Sequence, residues 1–249
     1  MNVSKKFIPS LFTILNAFCG FMSIINSSNG DYNQACYFIV YAALFDAFDG
    51  MIARLLNSSS DFGVELDSLS DVISFGAAPS FLIYSIHFRN YDGIGVFVAS
   101  SIMAFSALRL ARFNISLVGF DKDKFTGVPV PMSALTIISY ILFYHNKYFN
   151  PQTSNFIIFV LTISLSLLMV SKIKYPVLPG LSIYAIKKKP VQFLLLLITI
   201  IISLITKGYG IFFICLLYLL FGIVEGIFNL ITGRKGIIER KRHKKSRRK

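Results

Sequence analysis

Four aspartates, Asp46, Asp49, Asp67 and Asp71, interrupt the apolar runs of the stretch LFDAFDGMIARLLNSSSDFGVELDSLSDVISFG from Leu44 to Gly76. An ionisable residue inside a membrane span costs roughly 2.5 kcal/mol or more on insertion scales and usually marks function. At about 100° per residue, Asp46 and Asp49 lie within roughly 60° of each other on a helix, and Asp67 and Asp71 within roughly 40°. Each pair therefore shares a helix face. The turn from Asn57 to Leu66, rich in Ser and Gly, makes the two helices antiparallel neighbours, so the faces converge. Four like charges that close need counter-charge, and hard divalent cations with oxygen ligands supply it. The pattern predicts a magnesium- or manganese-type site with acids enough for two ions. Helix capping or solvent exposure is the plain alternative. It suffices for Ser60 and Asp61, which read as loop residues, but not for Asp46 and Asp49, surrounded by Ala47, Phe48, Met51 and Ile52.

Gly50 follows the second aspartate and Gly63 lies four before the third, so a backbone or a flat ligand can approach both. Gly50 serves close helix packing equally well. Arg54, near the helix end, can bind a phosphate oxygen or pair with an aspartate.

The elements that must position these residues are membrane helices. Of 249 residues, 55% are hydrophobic and only 15% charged, with mean hydropathy +0.66; a soluble domain carries about 25% charge. The fold class expected is all-α, a polytopic membrane helix bundle of about eight transmembrane helices, a six-helix core plus two. The spans run from about 10 to 28, 34 to 56, 67 to 88, 93 to 113, 128 to 147, 154 to 171, 191 to 206 and 209 to 231. The seventh is short. Lys172 to Pro190, with Pro176, Pro179, Gly180 and Lys187 to Lys189, reads as a loop or surface-lying segment. With the amino terminus inside, only Arg89, Lys147 and Lys207 of the 25 basic residues fall outside, which the positive-inside rule favours. Both termini and the acidic cluster are then cytoplasmic.

The net charge of +13 is concentrated at one end: Arg234 to Lys249 holds ten Lys or Arg and one acid, Glu239. The division expected is an integral membrane domain, 1–233, and a basic cytoplasmic tail, 234–249. Such a tail beside a span reads as a partner of anionic lipid headgroups, not of nucleic acid. Cys19, Cys36 and Cys215 lack metal or disulfide spacing and read as small core residues. His87, His145 and His243 share no ligand spacing. Gly222 and Gly226 form a GxxxG that can pack helices or subunits, with Glu225 between them.

Asp46, Asp49, Gly50, Ala53, Arg54, Gly63, Asp67 and Asp71 together resemble the DxxDGxxAR(x8)GxxxDxxxD signature of the CDP-alcohol phosphatidyltransferases, with every fixed position present. Within that family the chain is most similar to the small multi-span phosphatidylserine synthases of bacteria and archaea. ELDSLSDVISFGAAPS, ALRLARFN, TGVPVP and LNAFCGF carry that likeness, which is concentrated between about residues 9 and 135. The resemblance implies transfer of a phosphatidyl group from CDP-diacylglycerol to the hydroxyl of L-serine, with release of CMP and help from magnesium or manganese. It assigns Asp46, Asp49, Asp67 and Asp71 as metal ligands and Asp71 also as the base on serine. Gly50, Ala53, Arg54 and Gly63 would lie against the CDP moiety. Serine's carboxylate calls for a cation, and Arg109 and Arg112, at i and i+3 near the cytoplasmic end of the fourth span, are the candidates, with Asn114 assisting. A homodimer is implied by the family alone. Two other readings stay open: a sister enzyme taking glycerol phosphate or inositol phosphate, and a cation transporter whose acids line a pathway.

Overall fold

A computed structural model describes residues 3–56, 60–116, 124–176, 198–199 and 201–231. The helices are α1 (Val3–Ser28), α2 (Tyr32–Leu55), α3 (Asp61–Asp71), α4 (Ala78–Ile86), α5 (Asp92–Ser116), α6 (Val130–Phe143), α7 (Pro151–Val170) and α8 (Gly210–Ile231). A π-helical turn, Val72–Ala77, joins α3 to α4, so the two form one span. Among the described residues six helices are long and apolar enough to cross a membrane: Pro9–Ser28, Tyr32–Leu55, Asp61–Ile86, Phe88–Ile115, Pro151–Val170 and Gly210–Phe228. The chain is thus a multi-pass integral membrane protein built from helices.

The fifth predicted span is shorter than expected. α6 has 14 residues, ten of them buried, and at 1.5 Å per residue it reaches about 21 Å, short of the roughly 30 Å hydrocarbon core. It packs against α2 and α8 at the centre of the bundle instead of facing lipid along its length. Its start is fixed by Pro129 and Pro131: Pro129 keeps Val128 out of the helical region, and Pro131 is tolerated in the first turn. Half of the predicted seventh span, 191–206, lies outside the described residues; of the rest, 198–199 and 201–205 are helical. The segment 177–190 and the tail 234–249 also lie outside them.

Hydrophobic patterning gave no sign of two short strands, β1 (Lys124–Thr126) and β2 (Lys174–Pro176), which pair antiparallel with Phe125 opposite Tyr175. Gly127 follows at φ +78°, and a Cβ there would collide with the carbonyl of Met169. Gly222 and Gly226 of α8 lie over this same segment. A Cβ on Gly222 would enter the Tyr175 ring, and one on Gly226 would stand 3.2 Å from Ile173. The GxxxG therefore packs against β2 and Ile173 within the chain.

The π turn has a local cause. Pro79 offers no N–H to the carbonyl four residues back and would crowd it, and the widened turn just upstream absorbs the mismatch. It begins immediately after Asp71.

Candidate active site

α1 is the backbone of the site. Its buried polar and small residues Thr13, Asn16, Gly20, Ser23 and Ser27 recur every three or four positions and make one face against the span that starts with α3. Ser70 Oγ donates to the Thr13 carbonyl and Ser74 Oγ to the Asn16 carbonyl, each at 2.8 Å. These bonds lock the register of α3 on α1. The side chains of the same two α1 residues then hold the acids: Thr13 Oγ1 donates to Asp49 Oδ2 at 2.8 Å, and Asn16 Nδ2 donates to Asp71 Oδ1 at 3.3 Å.

The two acid-bearing faces converge. One carboxylate oxygen from each of Asp46, Asp49 and Asp67 lies within 4.8 Å of the others. Asp46 and Asp67 are in hydrogen-bonding contact, and Asp71 is within electrostatic range of all three. Asp49 and Asp71 are buried, at 6% and 7% exposure, deeper than carboxylates persist without charged or hydrogen-bonding partners. Asp67 Oδ1 is buried and has no hydrogen-bond partner among the described residues. A bare oxygen acceptor beside two further carboxylates fits a hard divalent cation, which takes oxygen ligands at short range. The residues present can hold such an ion.

The remaining candidates divide. Gly50 faces open space, with no described residue within 4 Å of where a Cβ would be, which leaves room beside Asp49. Ala53 is half-buried and Arg54 exposed; Arg54 Nε donates to the Gly50 carbonyl at 2.8 Å, within its own helix. Ser60 and Asp61, read as loop residues, start a helix: Ser60 Oγ caps α3 by accepting from Gly63 N at 3.1 Å, and Asp61 occupies the first turn, where a negative charge suits the dipole. Gly63 thus sits in a capping turn.

On α5, Arg109 is 7% exposed and within electrostatic range of Asp71 and Tyr218. Arg112 is exposed and donates through Nη1 to the Val170 carbonyl at 3.1 Å, capping the end of α7. Asn114 Nδ2 donates to Ser68 Oγ at 3.0 Å and to Glu65 Oε2 at 3.3 Å, tying α5 to α3. Arg109 joins the acids; Arg112 and Asn114 join helices. Thr13, Asn16, Ser70 and Ser74 escaped the sequence reading. Their signal was available in the polar stripe of the first span and in the serines at i+3 from Asp67 and from Asp71.

Known proteins resemble this chain over most of its length. The family model for CDP-alcohol phosphatidyltransferase matches residues 6–170. A CDP-diacylglycerol–serine O-phosphatidyltransferase of Helicobacter pylori is 34% identical over 223 residues, covering 90% of this chain and 92% of that protein. An archaetidylserine synthase of Methanothermobacter thermautotrophicus is 42% identical over 178 residues, 70% of this chain and 71% of its own. A CDP-diacylglycerol–serine O-phosphatidyltransferase of Bacillus subtilis is 37% identical over 174 residues, 69% of this chain and 90% of its own. With more than half of its length matched by the family model, and with the acidic cluster assembled from the signature residues, the chain belongs to the CDP-alcohol phosphatidyltransferase family.

Proposed function

We propose that this chain transfers the phosphatidyl group of CDP-diacylglycerol to the hydroxyl of L-serine, releasing CMP. The observation that carries the reading is the convergence of Asp46, Asp49 and Asp67 within 4.8 Å, with Asp71 beside them. The choice of serine is supported by the names of the Helicobacter and Bacillus relatives and by a buried cation, Arg109, within range of Asp71.

Asp46, Asp49 and Asp67, with Asp71 completing the set, hold magnesium or manganese. Such an ion supplies charge neutralisation at the pyrophosphate and polarisation of its phosphorus. Asp71 takes the proton of the serine hydroxyl as the new P–O bond forms and the bond to CMP breaks. Asn16 fixes one Asp71 oxygen, leaving the other for that proton. The open space at Gly50 admits the CDP moiety, and by the family signature Ala53, Arg54 and Gly63 lie against it. Arg109 receives the serine carboxylate; Arg112 and Asn114 hold α5 against α7 and α3. The acidic end of the bundle, which also carries the amino-terminal end of α1, faces the cytoplasm, in keeping with the positive-inside count. The protein works as a homodimer.

Purified protein, CDP-diacylglycerol, manganese and one alcohol at a time give the test, with CMP release followed. Serine is expected to be the acceptor that releases CMP. Release with glycerol phosphate or inositol phosphate and none with serine would overturn the acceptor assignment.

A further inference from the structure

Asn16 is fully buried, yet among the described residues its Oδ1 has no hydrogen-bond partner. The amide is oriented with Nδ2 toward the neighbouring acid, donating to Asp71 Oδ1 at 3.3 Å. Oδ1 therefore turns the other way, as a bare acceptor one residue from the proposed base. Buried acceptors in folded proteins are nearly always satisfied, and an exception calls for a partner that arrives later. Arg109 approaches Asp71 from α5 while Asn16 approaches it from α1. An amino-acid acceptor carries hydroxyl, ammonium and carboxylate on adjacent carbons, so its three recognition groups must be neighbours of this kind.

Resting on the reading of serine as acceptor, we propose that Asn16 Oδ1 accepts a hydrogen bond from the α-ammonium of the acceptor. Asp71 meets the hydroxyl and Arg109 the carboxylate. Asn16 is then a specificity residue as well as a support for Asp71. It distinguishes an amino acid from a hydroxy acid of the same length.

Two acceptors separate the roles: L-serine, and 3-hydroxypropanoate, which has the hydroxyl and carboxylate without the ammonium. Wild type is expected to show the higher kcat/KM for serine. In Asn16→Ala both acceptors slow, because the donor to Asp71 is lost, and the serine-to-hydroxypropanoate ratio falls about tenfold or more besides. Asn16→Asp, which keeps an oxygen for the ammonium but loses the donor to Asp71, slows both acceptors and retains the ratio. It serves also if the alanine variant does not fold. Wild type indifferent to the ammonium, an unaltered ratio in Asn16→Ala, or a ratio lost in Asn16→Asp would each overturn the contact. Wild-type failure to release CMP with serine would instead remove the functional reading, and this inference with it.

Discussion

Ser74 occupies the space that a side chain on Gly20 would need. A Cβ on the glycine would stand 2.7 Å from Ser74 Cα, while Ser74 Oγ reaches past it to the Asn16 carbonyl at 2.8 Å. The closeness of α1 to the Asp71 span thus depends on the absence of one methyl group. Overpacking at a tight contact costs about 1–3 kcal/mol. Gly20→Val is expected to lower the unfolding temperature in detergent and to abolish CMP release, because it moves Asn16 away from Asp71. Normal turnover by this variant would show that the α1 contact does not position the site.

Thr13 gives a finer probe of the same helix. Thr13→Val keeps the shape but removes the donor to Asp49. A hydrogen bond to a charged group contributes about 1.5–3 kcal/mol, which corresponds to roughly tenfold or more in affinity. Manganese titration of the variant, read by electron paramagnetic resonance, is expected to show weaker binding by about that factor with little change in thermal stability. Unchanged affinity would mean that the Asp49 orientation is set elsewhere.

Asp71→Asn retains size and a hydrogen-bonding side chain but cannot take a proton. Turnover is expected to fall below detection while CDP-diacylglycerol still protects the protein against thermal unfolding. Retained turnover would remove Asp71 from the role of base.

Arg109 and Arg112 share a helix face in the sequence and part company in the structure. Arg109→Ala is expected to raise the serine KM at least tenfold and to leave that for CDP-diacylglycerol nearly unchanged. Arg112→Ala should act mainly on stability, through the lost cap on Val170. An equal effect of Arg109→Ala on both KM values would assign it to the donor instead.

What could be read beforehand follows from the range of each signal. Acid pairs at i, i+3 and i, i+4 are local, so the convergence of Asp46, Asp49 and Asp67 was legible from spacing and a short turn. The partners of these acids were not, because Thr13 and Asn16 lie 36 and 55 residues away from Asp49 and Asp71 and are polar enough to pass as breaks in hydropathy. Hydropathy also overstated α6: the span expected to reach 147 ends as a helix at Phe143, and the chain turns at Asn146, a residue at φ +54°. GxxxG gave a packing surface without its partner, which is the Tyr175 strand. Arg112 illustrates the same limit: charge and position were evident, but the Val170 carbonyl that receives it comes from a distant helix end.

The central claim is that Asp46, Asp49 and Asp67 surround a divalent ion. Anomalous diffraction from crystals grown with manganese and CDP-diacylglycerol measures this without reference to turnover. A manganese peak is expected among these three carboxylates, lost in the double variant Asp46→Asn with Asp49→Asn. Diffraction showing no peak there, or a peak only elsewhere in the bundle, would contradict the claim.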